Sequence, residues 1–363
     1  MTVIRKTSLW RKLRKIKKYF MEKRIKKYNG RLLTTVMQCE IQNEIKKDRS
    51  IYYRDEKTVS NLSNNWQGVL VPPEKLRFIE NAIPIVLTAN ENFAPYAAVM
   101  LQSLLKYSHP NREYHFIFLE YDFSDTTKEY LQNQVSDFVH CSIDFVSTKD
   151  ALKEIPIVST KNHVNIDAFS RLFIPYWLER YPKVIYCDSD MIAKVDIAEL
   201  YDFNIQNYCI GAVVNQGVNS ALCNQNYSAA IYHSSPAAFM LLENWPRYIN
   251  SGVLIFNTTK FKQNISFQDL FKFVIYYTNR YKKRCNDQDI LSLIVKDHYF
   301  VLPPEWNYCW SAFSFKESEQ NTKIIHFTSK IKPWKNFPEI ANNNDALAYR
   351  DFAKTVPLYN IFH

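Results

Sequence analysis

Glycine is scarce, with five in 363 residues, at positions 30, 68, 211, 217 and 252. None of them builds a G-x-G-x-x-G or a G-x-x-x-x-G-K-[ST], which excludes the ordinary Rossmann dehydrogenase and P-loop NTPase classes. So few glycines also exclude a collagen-like or low-complexity chain. The seven cysteines (39, 141, 187, 209, 223, 285 and 309) are scattered and odd in number, with no C-x-x-C pair. That distribution fits neither a disulfide framework nor a zinc cage, and it suits a reducing compartment. No apolar run approaches 18 residues, so no membrane-spanning helix is expected. The N-terminus is charged but lacks an apolar core and a cleavage site, so no secretory signal is expected either. These absences lead to the expectation of a cytoplasmic protein.

The chain has length for one large α/β domain or two modest ones, and aromatic residues are abundant at 15%. The net charge of +10 is local. Residues 1–31 hold 13 Lys/Arg and one Glu, an excess of +12, so the rest of the chain stands at −2. Within this arm Leu9, Trp10, Leu13, Ile16, Phe20 and Ile25 recur at roughly helical spacing opposite a basic face. Three readings stay open: an in-plane anchor on an anionic membrane surface, a solvated basic tail, or a nucleic-acid arm. The apolar stripe favours the membrane, and no nucleic-acid partner is expected. Residues 32–81 read as an extension or linker.

From residue 82 the pattern alternates. Ile83–Leu87 is a strand, followed by the loop Thr88 to Phe93 and a helix over Tyr96–Tyr107. Tyr114–Leu119 is a second strand, Thr126–Val139 a second helix, and Cys141–Val146 a third strand. Asp167–Arg180 reads as helical apart from Pro175 and leads into the strand Val184–Cys187. Tyr248–Asn257 is strand-like around a Ser-Gly pair, and an aromatic helix follows near Phe267–Tyr277. Asn286–Val295 is a polar cluster opening an apolar helix, and Ile324–His326 is a last short strand. Such alternation predicts an α/β sheet, mainly parallel and flanked by helices, with right-handed crossovers. Ligands bind such sheets beyond the C-terminal strand edge, where both the 88–93 loop and residues 188–190 fall.

Asp188-Ser189-Asp190 closes the fourth strand. Two carboxylates one residue apart at a buried strand end repel each other unless a cation lies between them. A divalent metal carrying a phosphorylated ligand satisfies that need with hard oxygen donors. In isolation D-x-D is weak, and an acidic turn capping the next segment is by far the commoner source of it.

The order of motifs is more specific. Strand-N-x-N, SRLFIPYWL, VIYCDSDMIAKVDIAELYD, NSGVLIFN, NDQDIL and HFTSKIKPW follow one another as in glycosyltransferase family 8. The chain resembles these GT-A-type retaining transferases over roughly residues 82–355, leaving 356–363 as a tail. The family includes bacterial lipopolysaccharide galactosyl- and glucosyltransferases and glycogenin.

The resemblance implies a Mn²⁺ site, with Mg²⁺ as the alternative, formed by Asp188, Asp190 and His326. It implies a UDP-sugar donor held by Thr88, Ala89, Asn90 and Asn92 at the base and ribose, and by Arg171, Ser189, Asn250, Ser251, Asp287 and Gln288 around the sugar. Ser329 and Lys332 would meet the diphosphate. Gln288, Asp287, Asp289 and Lys332 are the candidate catalytic residues, Asp289 as a supporting group. Three positions depart from the family pattern. Asn90 stands where Asp is common, which weakens the inference that the base is uracil; Ser292 replaces a frequent Asn, and Ser329 a position that is sometimes Gly. Trp306, Tyr308, Trp310 and Trp334 are either sugar-stacking or core.

The implied reaction is transfer of galactose or glucose from UDP-sugar to a glycan hydroxyl, with retention. A lipid-linked acceptor in lipopolysaccharide or lipooligosaccharide synthesis suits a cytoplasmic enzyme peripheral to the inner face of a membrane. Capsule or glycoprotein acceptors are the alternatives, as is a glycan- or polyanion-binding protein on a repurposed fold.

Overall fold

Strands β1 (Ile83–Ala89) and β2 (Tyr114–Glu120) are buried along their whole length. Their side chains alternate between two apolar layers, as a sheet covered on both faces requires. In β1, Ile83, Ile85, Leu87 and Ala89 join one core with Phe116 and Phe118, while Val86 joins Ile117 and Leu119 in the other. The computed structural model describes residues 76–152, 166–215, 217, 248–281, 286–295, 298–310, 318–329, 331–335 and 340–362. The basic arm at 1–31, and the extension as far as residue 75, lie outside the described residues.

The chain continues through β3 (Cys141–Ser147), β4 (Lys183–Cys187), β5 (Met191–Ala193), β6 (Ile210–Val214), β7 (Ile249–Asn257), β8 (Phe300–Val301), β9 (Tyr308–Cys309) and β10 (Ile324–His326). Seven strands form the main sheet in the order β3-β2-β1-β4-β7-β6-β8, and β5-β10-β9 form a small second sheet. β1, β2, β3 and β4 are mutually parallel, and β7 is antiparallel to both β4 and β6. The expected mainly parallel α/β sheet is therefore present. The chain runs outward from β1 to β2 and β3, then returns to β4 on the other side of β1. This reversal opens a crevice between the C-terminal ends of β1 and β4, where doubly wound sheets bind ligands.

Two details shape that edge. β7 enters antiparallel, so its early residues Asn250, Ser251 and Gly252 lie beside the end of β4. The register of β7 against β6 also jumps: Ala212 pairs with Leu254 but Val213 with Asn250, leaving Ser251 to Val253 outside that ladder.

Two expectations change, and one open reading is decided. Asp167–Arg180 is not an α-helix: Ile166–Phe173 is 3-10, and one α-turn follows at Ile174–Trp177. Pro175 lies in the first turn of that short piece, where a missing N–H costs nothing. Residues 356–363 are not merely a tail, because Pro357–Phe362 is helical and buries Leu358 and Tyr359. Tyr359 meets Tyr96 on the Ala94–Tyr107 helix edge to face, with ring centroids 6.4 Å apart. Among the aromatics left open by the sequence, Trp306, Trp310 and Trp334 are buried, and Trp334 stacks on Tyr96 at 4.4 Å. Those three are core. No described helix is long and apolar enough to cross a membrane.

Candidate active site

After Cys187 the chain turns through Asp188-Ser189-Asp190 into β5, and three backbone-anchored bonds hold that turn. The Asp188 N–H donates to the Gly252 carbonyl at 2.8 Å, extending the β4–β7 ladder by one residue. Ser189 Oγ donates to the Thr88 carbonyl at 2.5 Å, bridging the crevice to β1. The Phe327 N–H donates to the Asp190 carbonyl at 3.0 Å. Pairing of β10 with β5 places His326 opposite Met191, directly after Asp190.

These constraints converge three ligand atoms. One oxygen each from Asp188 and Asp190 and one ring nitrogen of His326 lie within 4.8 Å of one another. His326 Nε2 is 3.1 Å from Asp190 Oδ1 and 3.7 Å from Asp188 Oδ2. Two hard oxygens and one borderline nitrogen are a donor set suited to a divalent ion such as Mn²⁺, more than to a cage that would select Ca²⁺. The residues present fit the metal. His326 reaches this place because residue 252 has no side chain. A Cβ on Gly252 would sit 2.4 Å from His326 Cε1 and 2.7 Å from Nδ1, closer than packed atoms approach.

Cations surround the acids. Lys332 Nζ lies 2.8 Å from Asp190 Oδ2 and also donates to the Phe327 carbonyl. Burial by itself would push the Asp190 carboxyl up, but Lys332 and His326 outweigh it and hold the group well below the usual carboxylate range. Arg171, buried in the 3-10 segment, lies 3.0 Å from both Asp188 Oδ1 and Asp287 Oδ2. Its Nη1 donates to the Ser251 carbonyl at 2.9 Å and to Ser251 Oγ at 3.1 Å. Burial opposes its charge, and Asp188 and Asp287 more than offset that, so the guanidinium stays ionised. Burial likewise raises Asp287, and Arg171 pulls it back. The guanidinium also lies over the Tyr186 ring, 4.6 Å from its centroid.

Tyr186 OH donates to Asp188 Oδ1 at 2.6 Å and pairs with Thr88 Oγ1 at 2.9 Å. Thr88 therefore reaches Asp188 through a phenol. The Ala89 carbonyl accepts the Tyr121 N–H at 3.2 Å. Asn90 caps the 3-10 turn Glu91–Phe93 with its Oδ1 and donates from Nδ2 to Asp167 Oδ2 at 2.7 Å. Asn92, in that turn, is exposed. Ser329 Oγ accepts the Ile331 N–H at 3.2 Å.

On the other side of Arg171, Gln288 Oε1 accepts the Ser251 N–H at 3.1 Å and Gln288 Nε2 donates to Tyr248 OH at 2.9 Å. Tyr248 OH donates in turn to Asp289 Oδ1 at 2.7 Å. Asp289 is fully buried and its other oxygen accepts the Asn286 N–H at 2.9 Å, while Asn286 Oδ1 accepts the Asp289 N–H at 2.8 Å. This reciprocal pair is a capping box for the helix Asp287–Val295. Asp289 thus starts the helix that carries Asp287 and Gln288. Asn250 Oδ1 accepts from the Gly252 N–H and from Asn307 Nδ2, and Asn250 Nδ2 donates to Cys309 Sγ at 3.3 Å.

The structure gathers Asp188, Asp190, His326, Lys332, Arg171, Ser251, Asp287 and Gln288 into one linked group at the β1–β4 edge. Tyr186, Tyr248 and Asn307 belong to the same network and were not singled out from the sequence, nor was Asp167, which holds Asn90. Tyr186 carried a signal, since residues two apart on a strand share a face and Asp188 follows at that spacing. Asn307 carried none, because its relation to His326 exists only through the β9–β10 pairing.

The Glycosyl transferase family 8 model matches residues 84–337. General stress protein A of Bacillus subtilis is 26% identical over 283 residues, spanning 74% of this chain and 90% of its own length. Lipopolysaccharide glucosyltransferase WaaO of Escherichia coli is 25% identical over 260 residues, spanning 69% and 72%. Among solved structures, the galactosyltransferase LgtC in complex with donor and acceptor sugar analogues aligns with a TM-score of 0.57 at 21% identity, over 76% of this chain and 96% of that one. The likeness to LgtC is one of fold, the GT-A arrangement.

Two predictions follow from the geometry. Gly252→Ala should cost about 1–3 kcal/mol through overpacking and displace the His326 ring. Divalent-ion affinity should fall by about tenfold or more, as read from the electron paramagnetic resonance of free Mn²⁺; unchanged affinity would refute the close-approach argument. Burial, partly countered by Asn90 and reinforced by the charge of Asp122, pushes Asp167 up to about 6. A folded value above the unfolded one means the associated stability is present below pH 4 and is lost as pH rises through about 6. Asp167→Asn should therefore stabilise the protein by up to about 3 kcal/mol at pH 7.5, with the gain vanishing near pH 4. Denaturant unfolding at both pH values measures this.

Proposed function

This chain belongs to glycosyltransferase family 8, and on that premise we propose that it is a metal-dependent, retaining hexosyltransferase. It moves galactose or glucose from a UDP-sugar to a hydroxyl of a glycan acceptor. The observation that carries this reading is the convergence of Asp188, Asp190 and His326 between Lys332 and Arg171.

Asp188, Asp190 and His326 would hold Mn²⁺, or Mg²⁺ in its place, and the ion would supply Lewis acidity for the diphosphate of the leaving UDP. Lys332 adds a second positive charge for that group, and its present partner Asp190 gives it up as the diphosphate arrives. Arg171 pairs with Asp188 and Asp287 and orients both. Asp287 and Gln288 hydrogen-bond the hydroxyls of the transferred sugar, with Asn250, Ser251, Ser189 and Ser329 completing the donor pocket. Thr88, Ala89, Asn90 and Asn92 hold the base and ribose. Asp289 steadies Gln288 through Tyr248.

An amide oxygen is a poor nucleophile, and Gln288 Oε1 already accepts the Ser251 N–H. Retention then comes from attack on the face the UDP leaves, with the acceptor hydroxyl's proton passing to the departing phosphate oxygen. A lipid-linked acceptor in lipopolysaccharide or lipooligosaccharide synthesis is supported by two features. One is the likeness to a lipopolysaccharide glucosyltransferase, and the other is the basic amphipathic arm, which suits an anionic membrane surface at the cytoplasmic face.

UDP release across a panel of UDP-sugars is the direct test. Turnover of one hexose donor with Mn²⁺, abolished by chelation and lowered about 100-fold or more by Asp190→Ala, is the expected result. Metal-independent release would reject the metal dependence, and no release from any donor would reject the transferase reading. Deleting residues 1–31 should abolish co-sedimentation with vesicles containing anionic lipid while leaving donor hydrolysis intact. Persistent vesicle binding by the truncated chain would reject the anchor.

A further inference from the structure

We infer that Asn307, outside the metal-binding triad, fixes the proton of His326 on Nδ1 and so reserves Nε2 for the metal; this rests on the metal reading given above. A backbone amide starts the chain of bonds. The Gly252 N–H can only donate, and it meets Asn250 Oδ1 at 2.9 Å, which settles which end of that amide is oxygen. The same oxygen lies 2.8 Å from Asn307 Nδ2, so the end of Asn307 facing it is the donor. Asn307 then presents its oxygen to His326 Nδ1 at 3.0 Å. An amide oxygen carries no proton, so the ring nitrogen must donate. A neutral imidazole protonated on Nδ1 has its lone pair on Nε2, the nitrogen that faces Asp188 and Asp190.

The direction of this relay matters because another arrangement competes with it. Asp190 Oδ1, 3.1 Å from Nε2, would accept a proton held there. That tautomer makes a satisfied histidine–carboxylate hydrogen bond and puts an N–H where a metal ligand is needed. Asn307 opposes it: with the proton on Nε2, the Asn307 oxygen and the Nδ1 lone pair would face each other 3.0 Å apart in a buried place. Asn307 is fully buried and ends the 3-10 turn Pro304–Asn307, immediately before β9. Parallel pairing of β9 with β10 sets Cys309 beside His326, and this carries Asn307 to the far side of the ring. Asn307 is thus a positioning residue that acts through His326.

Nitrogen-15 spectra of the metal-free protein with labelled histidine, at alkaline pH where the rings are neutral, read the tautomer without metal. His326 is identified by its loss in His326→Gln. The wild-type ring should carry its proton on Nδ1, and Asn307→Leu should move it to Nε2. Asn307→Asp loses the donor to Asn250 Oδ1 but still offers Nδ1 an acceptor, so the proton should stay on Nδ1. Mn²⁺ binding in the presence of UDP, followed by the electron paramagnetic resonance of the free ion, should weaken about 10- to 100-fold in Asn307→Leu. A wild-type proton on Nε2 overturns the inference even if the leucine variant fails to fold. So does an Asn307→Leu protein that binds Mn²⁺ as wild type does. No Mn²⁺ uptake by the wild type overturns the metal reading and the inference with it, and the nitrogen spectrum then separates that failure from a misassigned tautomer.

Discussion

The site depends on one buried cation. Arg171 sits between Asp188 and Asp287, two acids that would face each other at a covered sheet edge without a cation between them. Removing one member of such a buried set typically costs about 3–5 kcal/mol, because the remaining charges are stranded. The guanidinium does more than neutralise. Its Nη1 holds the carbonyl and hydroxyl oxygens of Ser251, and the guanidinium lies over the ring of Tyr186, whose hydroxyl in turn orients Asp188. The 3-10 path of residues 166–173 belongs to the same device, since Arg171 Nε also donates to the Ala168 carbonyl of its own turn at 2.9 Å. A charge needed at the metal edge is anchored to the segment that crosses from β3 to β4.

Around that cation, β7 supplies rigid donors. Where its register against β6 jumps, two backbone amides become available for side chains. Ser251 N–H orients the Gln288 amide, and Gly252 N–H orients the Asn250 amide. Two carboxamides, each able to flip by half a turn, are thereby held in one sense by groups that cannot reverse. The irregular register is thus a source of order at the edge of the sheet. Glycine, rare in this chain, stands at the point where strand, imidazole and Met191 crowd together.

The alternation of strands and helices was legible because fully buried parallel strands read as short apolar runs, and β1, β2 and β4 are such runs. Asp188 and Asp190 were legible as a candidate metal edge because acids rarely end a buried strand without a cation. His326 and Lys332 were legible only through the order of motifs, since a lone histidine or lysine carries no such signal. The Asp167–Arg180 segment misled because its apolar spacing suits a helix of either kind, and the spacing does not report that Arg171 must reach two acids. Residues 357–362 misled because a run of six residues at the chain end is too short to show a helical period, although Leu358 and Tyr359 are buried.

The sequence by itself determined the fold class and the family, and it named Asp188, Asp190 and His326 as candidate metal ligands, since each rests on patterns local to a strand end or on motifs in fixed order. The tertiary structure decided how those residues are aimed. Asn307 lies 19 positions before His326, and Asn250 lies 57 before Asn307. Hydrogen-bond direction across such separations is set by strand pairing and by which groups can only donate. Those conditions arise when β7, β9 and β10 come together, and no local pattern in the chain encodes them.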